Sequence, residues 1–210
     1  MEPLKAGNGE ADRAVSGLRE GKPVILPTDT VYGLCARADS EDAVRGAYRL
    51  KGREERQPSA LVAGSVEQLL ECVPELRGRV AAVMAALLPG PFTLVVPNPG
   101  GRFAWLAGSN PEALGVRVPE LPSPSDSIVA RAGAVMATSA NLPGGPDPAR
   151  LEEVPEQILA GCAAAIDGGR FPGIPSTVVD LTGEEPIVLR EGAMPGVEAL
   201  ERARAALATA

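Results

Sequence analysis

The sequence predicts an α/β fold: a single domain with a twisted mixed β-sheet flanked by helices. Amphipathic segments of helical length alternate along the chain with short apolar segments of strand length. Three of the strand segments, at 24–26, 93–96 and 177–181, are apolar on both faces, which is typical of strands covered by helices on each side. Only residues 182–186 separate the last two strands, and this hairpin-like gap indicates that the sheet is not purely parallel.

Capping residues, glycines and prolines set the predicted helix boundaries. Ser40, followed by two acidic residues, is an N-cap for a helix that runs to about Leu50. The capping box Ser65–Gln68 begins a helix to about residue 72, and Pro74 is well placed in the first turn of the next helix, which Pro89 ends. The remaining predicted helices span 10–20, 123–132, 150–160 and 196–207.

Short β-branched and apolar segments bounded by turn residues predict the strands. They span 24–26, 60–63, 92–96, 114–118, 135–138, 163–166, 176–181 and 187–189. We find neither a sequence repeat nor an internal linker. The sequence therefore predicts one domain over 10–200, an N-terminal tail over 1–9, and a helix end or tail over 201–210.

Composition removes several classes of function. The chain has no histidine, which rules out Ser-His-Asp and Cys-His catalysis and argues against a zinc site. Its three isolated cysteines, Cys35, Cys72 and Cys162, argue against a disulfide framework. A net charge of −7 does not favour general binding to nucleic acid. With neither a signal-peptide pattern nor an apolar run of ~20 residues, we expect a cytoplasmic protein with no membrane contact.

Polar side chains recur where predicted strands end. The five sites are Thr28–Thr30, Arg117, Thr138–Asn141, Ser176–Thr177 and Arg190. Any one of them is more often a turn or a cap, but ligands of open α/β sheets bind at strand ends, and five such sites favour a shared one. Arginine forks bind carboxylates and phosphates, so the residues alone predict a site for an anionic small molecule. The sequence has neither a P-loop nor a dinucleotide-binding motif.

Seven short elements together give the chain a resemblance to a known family. In order they are Pro27–Leu34, Lys51–Arg53, Pro89–Thr93, Val116–Pro119, Ser139–Asn141, Ser176–Asp180 and Leu189–Arg190. In this order and spacing they resemble the YrdC/YciO family, which includes the threonylcarbamoyl-AMP synthases. The resemblance covers about residues 10–200, and it implies a YrdC-like fold in the short, single-domain form.

The resemblance implies an ATP-dependent nucleotidyltransferase. Such an enzyme makes threonylcarbamoyl-AMP and pyrophosphate from L-threonine, bicarbonate or CO2, and ATP, for the t6A modification of tRNA at adenosine 37. Mg²⁺ is expected as a cofactor that comes with ATP, and no metal ligand of the protein is assigned. Besides the substrates, the implied partners include tRNA and the downstream t6A transferase complex.

The family's substrate contacts carry over to matching positions of this sequence. The implied L-threonine contacts are Thr30, Arg117, Ala137 and Ser176, with Tyr32 helping to shape the pocket. The implied ATP contacts are Lys51, Arg53, Gln57, Ser139, Asn141 and Arg190. No catalytic residue is implied. Alone, the basic segment 45–56 would indicate a solvated helix face, but the resemblance makes Lys51 and Arg53 phosphate-binding residues.

Three alternatives stay open at the level of sequence. One is a YciO-like paralogue without threonylcarbamoyl activity. Another is a module that binds double-stranded RNA or tRNA, although the acidic balance and the few aromatic residues count against it. The third is a different carbamoyl-adenylate chemistry, as in the related domain of hydrogenase-maturation carbamoyltransferases.

Overall fold

The structure is a computed structural model that describes residues 8–209. Within that range the chain forms seven α-helices: α1 (Asn8–Arg19), α2 (Glu41–Lys51), α3 (Val66–Cys72), α4 (Arg79–Leu87), α5 (Ser125–Ala132), α6 (Glu156–Ala160) and α7 (Gly196–Ala208). Residues 8 and 9 of the predicted N-terminal tail belong to α1, whereas 1–7 lie outside the described residues, as does 210. In the described part of the chain, no helix combines the length and the apolar composition needed to cross a membrane.

The described residues also form nine strands that join in one mixed sheet, which confirms the predicted fold class. The strands are β1 (Val24–Pro27), β2 (Tyr32–Arg37), β3 (Ala60–Val62), β4 (Phe92–Pro97), β5 (Ala113–Arg117), β6 (Val135–Ser139), β7 (Ala164–Ala165), β8 (Thr177–Asp180) and β9 (Ile187–Arg190). Their order across the sheet is β7-β1-β2-β6-β3-β5-β4-β8-β9. Strands β8 and β9 pair antiparallel, as the short gap between them predicted.

Three elements differ from the sequence prediction, each for a local reason. Strand β2 was not predicted; it forms a hairpin with β1 and is buried on both faces, so it shows no alternation. The predicted helix over 150–160 is interrupted before Pro155, because a residue that precedes proline is disfavoured in helical conformation. Helix α4 begins at Arg79 and not near Pro74. The residue before it, Gly78, has a φ of +57°, which is not a right-handed helical conformation, so the helix begins only after it.

The two faces of the sheet are covered differently. Helices α2, α3, α4 and α7 bury the larger apolar cluster on one face. Helices α1 and α5 bury a smaller cluster on the other face, over β1, β2, β3 and β6. The second face therefore has a part that no helix of the smaller cluster covers, and this part is the floor of a cavity.

On the part of the sheet that no helix covers, one expectation from the sequence fails. Strand β1 is buried on both faces, as its apolar sequence predicted. Strands β4 and β8 instead alternate between buried and half-buried residues, so the expectation of helices on both of their faces is wrong. In β4, Phe92 and Leu94 pack into the core, while Thr93 and Val95 face the cavity.

Candidate active site

A cavity of about 480 Å³ lies on the open part of the sheet. Its floor is formed by every second residue of several strands, and many of these residues are small, such as Gly33, Ala60, Gly115 and Ala137. Small side chains leave room above the sheet for a ligand. Three arginines line this space, namely Arg53, Arg117 and Arg190.

Arg117, the last residue of β5, is held by the turn that joins β1 and β2. Its Nη2 donates to Asp29 Oδ1 at 2.5 Å and to Thr30 Oγ1 at 2.7 Å. Asp29 Oδ2 in turn accepts from the backbone N–H of Glu120 at 3.2 Å. Burial lowers the pKa of the Arg117 guanidinium, and the Asp29 carboxylate opposes this effect. Within residues 8–209, Nε of Arg117 is buried and lacks a hydrogen-bond partner. A guanidinium fixed along one edge and unsatisfied at another is suited to receive an anion.

The hydroxyls of the same turn serve mainly to fold it. Thr28 Oγ1 donates to the carbonyl of Val31 at 2.7 Å and accepts from the N–H groups of Thr30 and Val31, at 3.3 Å each. Thr30 is fully buried, and its hydroxyl lies against Arg117. The polar residues after β1 therefore close a tight turn and position the arginine. Thr30 was predicted to contact substrate, and the structure places it behind Arg117.

Tyr32 does not line the cavity, contrary to the expectation that it shapes the pocket. Its hydroxyl lies 2.7 Å from the carbonyl of Gly169 and 3.2 Å from Asp167 Oδ1, and accepts from the N–H of Gly168 at 3.0 Å. Burial raises the pKa of Tyr32 to about 12, so it remains a hydrogen-bond donor at neutral pH. Tyr32 thus fixes the segment 167–169 and contributes to the site only through the fold.

Lys51, at the end of α2, is buried beneath the loop that follows β6. Its ammonium donates to the carbonyl of Ser139 at 2.5 Å and to Asn141 Oδ1 at 2.7 Å. Ser139 Oγ donates to the same Asn141 oxygen at 2.7 Å, and Asn141 Nδ2 donates to the carbonyl of Gly145 at 2.6 Å. Burial and then the nearby charge of Arg53 lower the pKa of Lys51 to about 8, while Asp147 opposes them.

Arg190 and Ser176 form a second polar cluster at the other side of the floor. Arg190 donates to the carbonyl of Ser176 through Nε at 3.2 Å and through Nη2 at 2.7 Å. The hydroxyls of Ser176 and Thr93 are 2.7 Å apart, so one donates to the other. Burial lowers the pKa of Arg190, and the Asp147 carboxylate opposes this shift.

The cavity brings together most of the residues that the sequence singled out. Six line it: Arg53, Arg117, Ala137, Ser139, Ser176 and Arg190. Lys51 and Asn141 lie behind Ser139, as Thr30 lies behind Arg117. Gln57 is exposed in a turn, where its N–H donates to the carbonyl of Glu54 at 3.1 Å, and it does not line the cavity.

Sequence reasoning missed two residues of this site. Asp29 was noted in the Thr-Asp-Thr stretch but received no role, although it pairs with Arg117 in a salt bridge in which both side chains are about nine-tenths buried. Thr93 belongs to one of the matching elements, and the alternation of β4 places it on the cavity side. The alternation of side chains along β4 could have placed Thr93 on the cavity side. The apolar residues next to it in the sequence made the strand look apolar on both faces and concealed this signal.

Arg53 is held by a loop that depends on a glycine outside the cavity. Arg53 Nη2 donates to the carbonyl of Pro58 at 2.6 Å, so the path of residues 54–58 sets the position of the guanidinium. Gly108 packs against this loop with φ +63°, and a Cβ there would lie 2.5 Å from the carbonyl oxygen of Arg56 and 2.7 Å from the nitrogen of Pro58. Because both are backbone atoms, the loop would have to move.

For ATP, the ligand that the resemblance implies, we expect Gly108→Ala to weaken the binding of a non-hydrolysable analogue by about tenfold or more, since small displacements of charged groups are costly at such sites. Gly101→Ala is the matched control, because Gly101 also has a positive φ, +60°, but has open space around it. Both variants lose about 1–2 kcal/mol of folding stability, because alanine is strained in the left-handed backbone conformation. Titration calorimetry checks the prediction, and equal nucleotide affinities in the two variants would contradict it.

The donor set of the cavity bears on the expected Mg²⁺. Within the described residues, no group of three or more His, Cys, Asp or Glu side chains is placed to hold a metal ion. The carboxylates that line the cavity are Asp147 and Asp180, and Asp180 Oδ1 accepts from both the N–H and the hydroxyl of Thr182. This set fits an ion that keeps its waters and is carried by substrate phosphates, with Asp147 as the available carboxylate.

Comparisons with known proteins agree with the sequence resemblance. The Sua5/YciO/YrdC family model, described as "Telomere recombination", matches residues 16–192. The threonylcarbamoyl-AMP synthase of Pyrococcus abyssi is 35% identical over 190 residues, which are 90% of this chain and 55% of that protein. The human threonylcarbamoyl-AMP synthase is 36% identical over 192 residues, 86% of this chain and 66% of that protein.

A solved structure extends the similarity to three dimensions. The crystal structure of P. abyssi Sua5 complexed with L-threonine has a TM-score of 0.85 and 32% identity, over 94% of this chain and 58% of that one. This chain therefore spans little more than half the length of the P. abyssi protein.

Proposed function

Because the chain belongs to the Sua5/YciO/YrdC family, we propose that it is an L-threonylcarbamoyladenylate synthase, an ATP-dependent nucleotidyltransferase. The observation that supports this most is the convergence of Arg117, Arg53 and Arg190 on one cavity. One substrate has a carboxylate and the other has three phosphates, so a shared site requires several fixed cations. The relatives named threonylcarbamoyl-AMP synthase and the neighbour complexed with L-threonine favour the same substrates.

In the proposed reaction, L-threonine, bicarbonate and ATP give threonylcarbamoyl-AMP, pyrophosphate and water. The amine of threonine forms an N–C bond to CO2 and loses a proton, which leaves a carbamate. Bicarbonate supplies the CO2 when one of its C–O bonds breaks; it takes up the proton that the amine loses and releases water. A carbamate oxygen then attacks the α-phosphorus, and the bond from that phosphorus to the pyrophosphate oxygen breaks. Such transfers depend on positioning and charge stabilisation more than on covalent catalysis, which suits a chain without histidine.

The residues divide between the two substrates. Arg117 holds the threonine carboxylate, with Ser176 and the backbone of Ala137 lining the amino-acid end. Arg53 and Arg190 face the phosphates and ribose, and Lys51 adds charge from beneath Ser139. Mg²⁺, when bound with ATP, would supply further neutralisation of phosphate charge, and Asp147 is the cavity residue that would hold it. Thr30, Asn141 and Asp29 act by holding these groups in place.

We further propose that the protein works in the cytoplasm and passes its product toward tRNA through a t6A transferase complex. The product is a mixed anhydride of a carbamate and a phosphate, and such compounds hydrolyse readily. A transferase that acts soon after release is therefore the expected partner.

The proposal is tested by measuring pyrophosphate release in the presence of ATP, Mg²⁺, bicarbonate and each amino acid in turn. We expect pyrophosphate release that needs both bicarbonate and threonine. Release that does not depend on which amino acid is present would contradict the proposal. Absence of release together with tRNA binding that weakens steeply with salt would favour the RNA-binding alternative.

A further inference from the structure

The surroundings of Arg117 differ on its two sides, and the difference bears on which amino acids the site selects. Across the sheet, Val62 of β3 is the register partner of Arg117. On the other side, the pairing of Leu94 with Val116 places Thr93 of β4 opposite Arg117. All three side chains line the cavity. Directly opposed residues in a sheet have Cβ atoms about 5 Å apart, so Val62 and Thr93 flank the base of the Arg117 side chain, while its guanidinium lies against Thr30 in the turn after β1.

On the β4 side, the hydroxyls already have partners. Thr93 Oγ1 and Ser176 Oγ share a hydrogen bond at 2.7 Å, and Ser176 Oγ also accepts from Arg190 Nη2 at 3.2 Å. This pair is the polar group on the β4 side of the Arg117 side chain. A substrate hydroxyl placed there would have to displace an existing hydrogen bond, for little net gain.

On the β3 side, the wall is made of methyl groups. Val62 lines the cavity there and is almost fully buried, and Val31, which follows the Thr30 that accepts from Arg117 Nη2, also lines it. The nearby hydroxyl of Thr28 is saturated, because it donates to the carbonyl of Val31 and accepts from two N–H groups. Thr30 Oγ1 accepts from Arg117 and lies 3.1 Å from Thr28 Oγ1. A side chain on this side meets apolar surface and occupied hydroxyls.

We infer that the amino-acid side chain of the substrate lies on the β3 side against Val31 and Val62, and that it is selected by its branched shape and not through its hydroxyl. This inference rests on the proposed function, which assigns an amino acid to Arg117. Apolar subsites distinguish a hydroxyl from an isosteric methyl by only ~10²-fold, whereas subsites that hydrogen-bond the hydroxyl do so by 10⁴–10⁵-fold, as orders of magnitude. Valine is thus a ligand of this site, while serine loses the contact of one methyl group.

The test is calorimetric titration of the protein with threonine, valine and serine, without ATP, so that it does not depend on catalysis. We expect the dissociation constants of threonine and valine to differ by less than about 10³-fold and serine to bind roughly tenfold or more weaker than valine. A threonine preference over valine above about 10³-fold overturns the inference. If threonine and valine bind alike but no pyrophosphate is released with either, the proposed function fails and the inference about the amino-acid site stands. If no amino acid binds, both fail.

A variant pair adds a second readout. Val62→Thr replaces one methyl by a hydroxyl beside Arg117, and we expect the preference for threonine over valine to rise by about tenfold. Val95→Thr makes the same replacement elsewhere on the cavity floor, opposite Gly115 and away from Arg117, and should leave the preference unchanged. Thermal unfolding shows whether each variant is folded. Equal preferences in the folded Val62→Thr variant and the wild type would place the side chain elsewhere and overturn the inference.

Discussion

Replacing Arg117 by alanine is expected to raise the KM for threonine by about 100-fold, with a much smaller change in the KM for ATP. The guanidinium is buried and already fixed by Asp29 and Thr30, so it pays little entropy when it receives a carboxylate. Hydrogen bonds to charged groups in such surroundings contribute about 1.5–3 kcal/mol each, which corresponds to the expected change. Steady-state pyrophosphate release at varied threonine, with ATP saturating, gives this value.

Two further variants separate binding from folding in this prediction. Arg117→Ala leaves the Asp29 carboxylate about nine-tenths buried without its cation, so the variant should also be less stable. Arg117→Lys keeps a positive charge but not the guanidinium fork. Its KM for threonine should lie between those of the wild type and Arg117→Ala. Arg131→Ala removes an exposed arginine paired with Asp12 and is expected to change neither KM. If folded Arg117→Ala retained the threonine KM of the wild type, the assignment of the carboxylate to Arg117 would be wrong.

The sequence predicted the elements whose signals are local. Ser40 and Ser65 cap α2 and α3 as expected, since each side chain accepts from the N–H three residues later. The hairpin of β8 and β9 followed from a short gap. Strand β2 was missed because the turn before it has polar residues that resemble the end of an element, and because a strand buried on both faces has no period of two.

The sequence indicated which residues form the site but not how they are arranged in space. Arginines and hydroxyls near strand ends indicated an anion site, and the cavity contains most of them. The sequence could not show that this cavity extends across the face of the sheet, since that depends on which strands are neighbours. Thr93 lies beside Arg117 only because β4 pairs with β5, and Lys51 reaches Ser139 only because α2 ends beneath the loop after β6. Register between distant strands is set by the packing of the whole fold.

The position of Lys51 leads to a prediction about pH. Burial and the charge of Arg53 lower its pKa to about 8, so the ammonium loses its proton in a range where ATP phosphates are already ionised. Bound phosphates favour the charged form and raise this pKa further. For the proposed ATP complex, we therefore expect full affinity below pH 8 and a loss of affinity as the pH rises from about 8 toward the pKa of the complex.

We expect kcat/KM for ATP in the wild type to fall above pH 8, by up to about tenfold per pH unit. In Lys51→Met, kcat/KM should be about 100-fold lower at neutral pH and should not show this fall, because the charge is absent throughout and the loop of Ser139 and Asn141 has lost its anchor. Lys22→Met is the matched control, since Lys22 is exposed and pairs only with Glu20 among the described residues. A Lys51→Met enzyme that kept the wild-type decline would show that another group titrates, and Lys51 would then have a structural role alone.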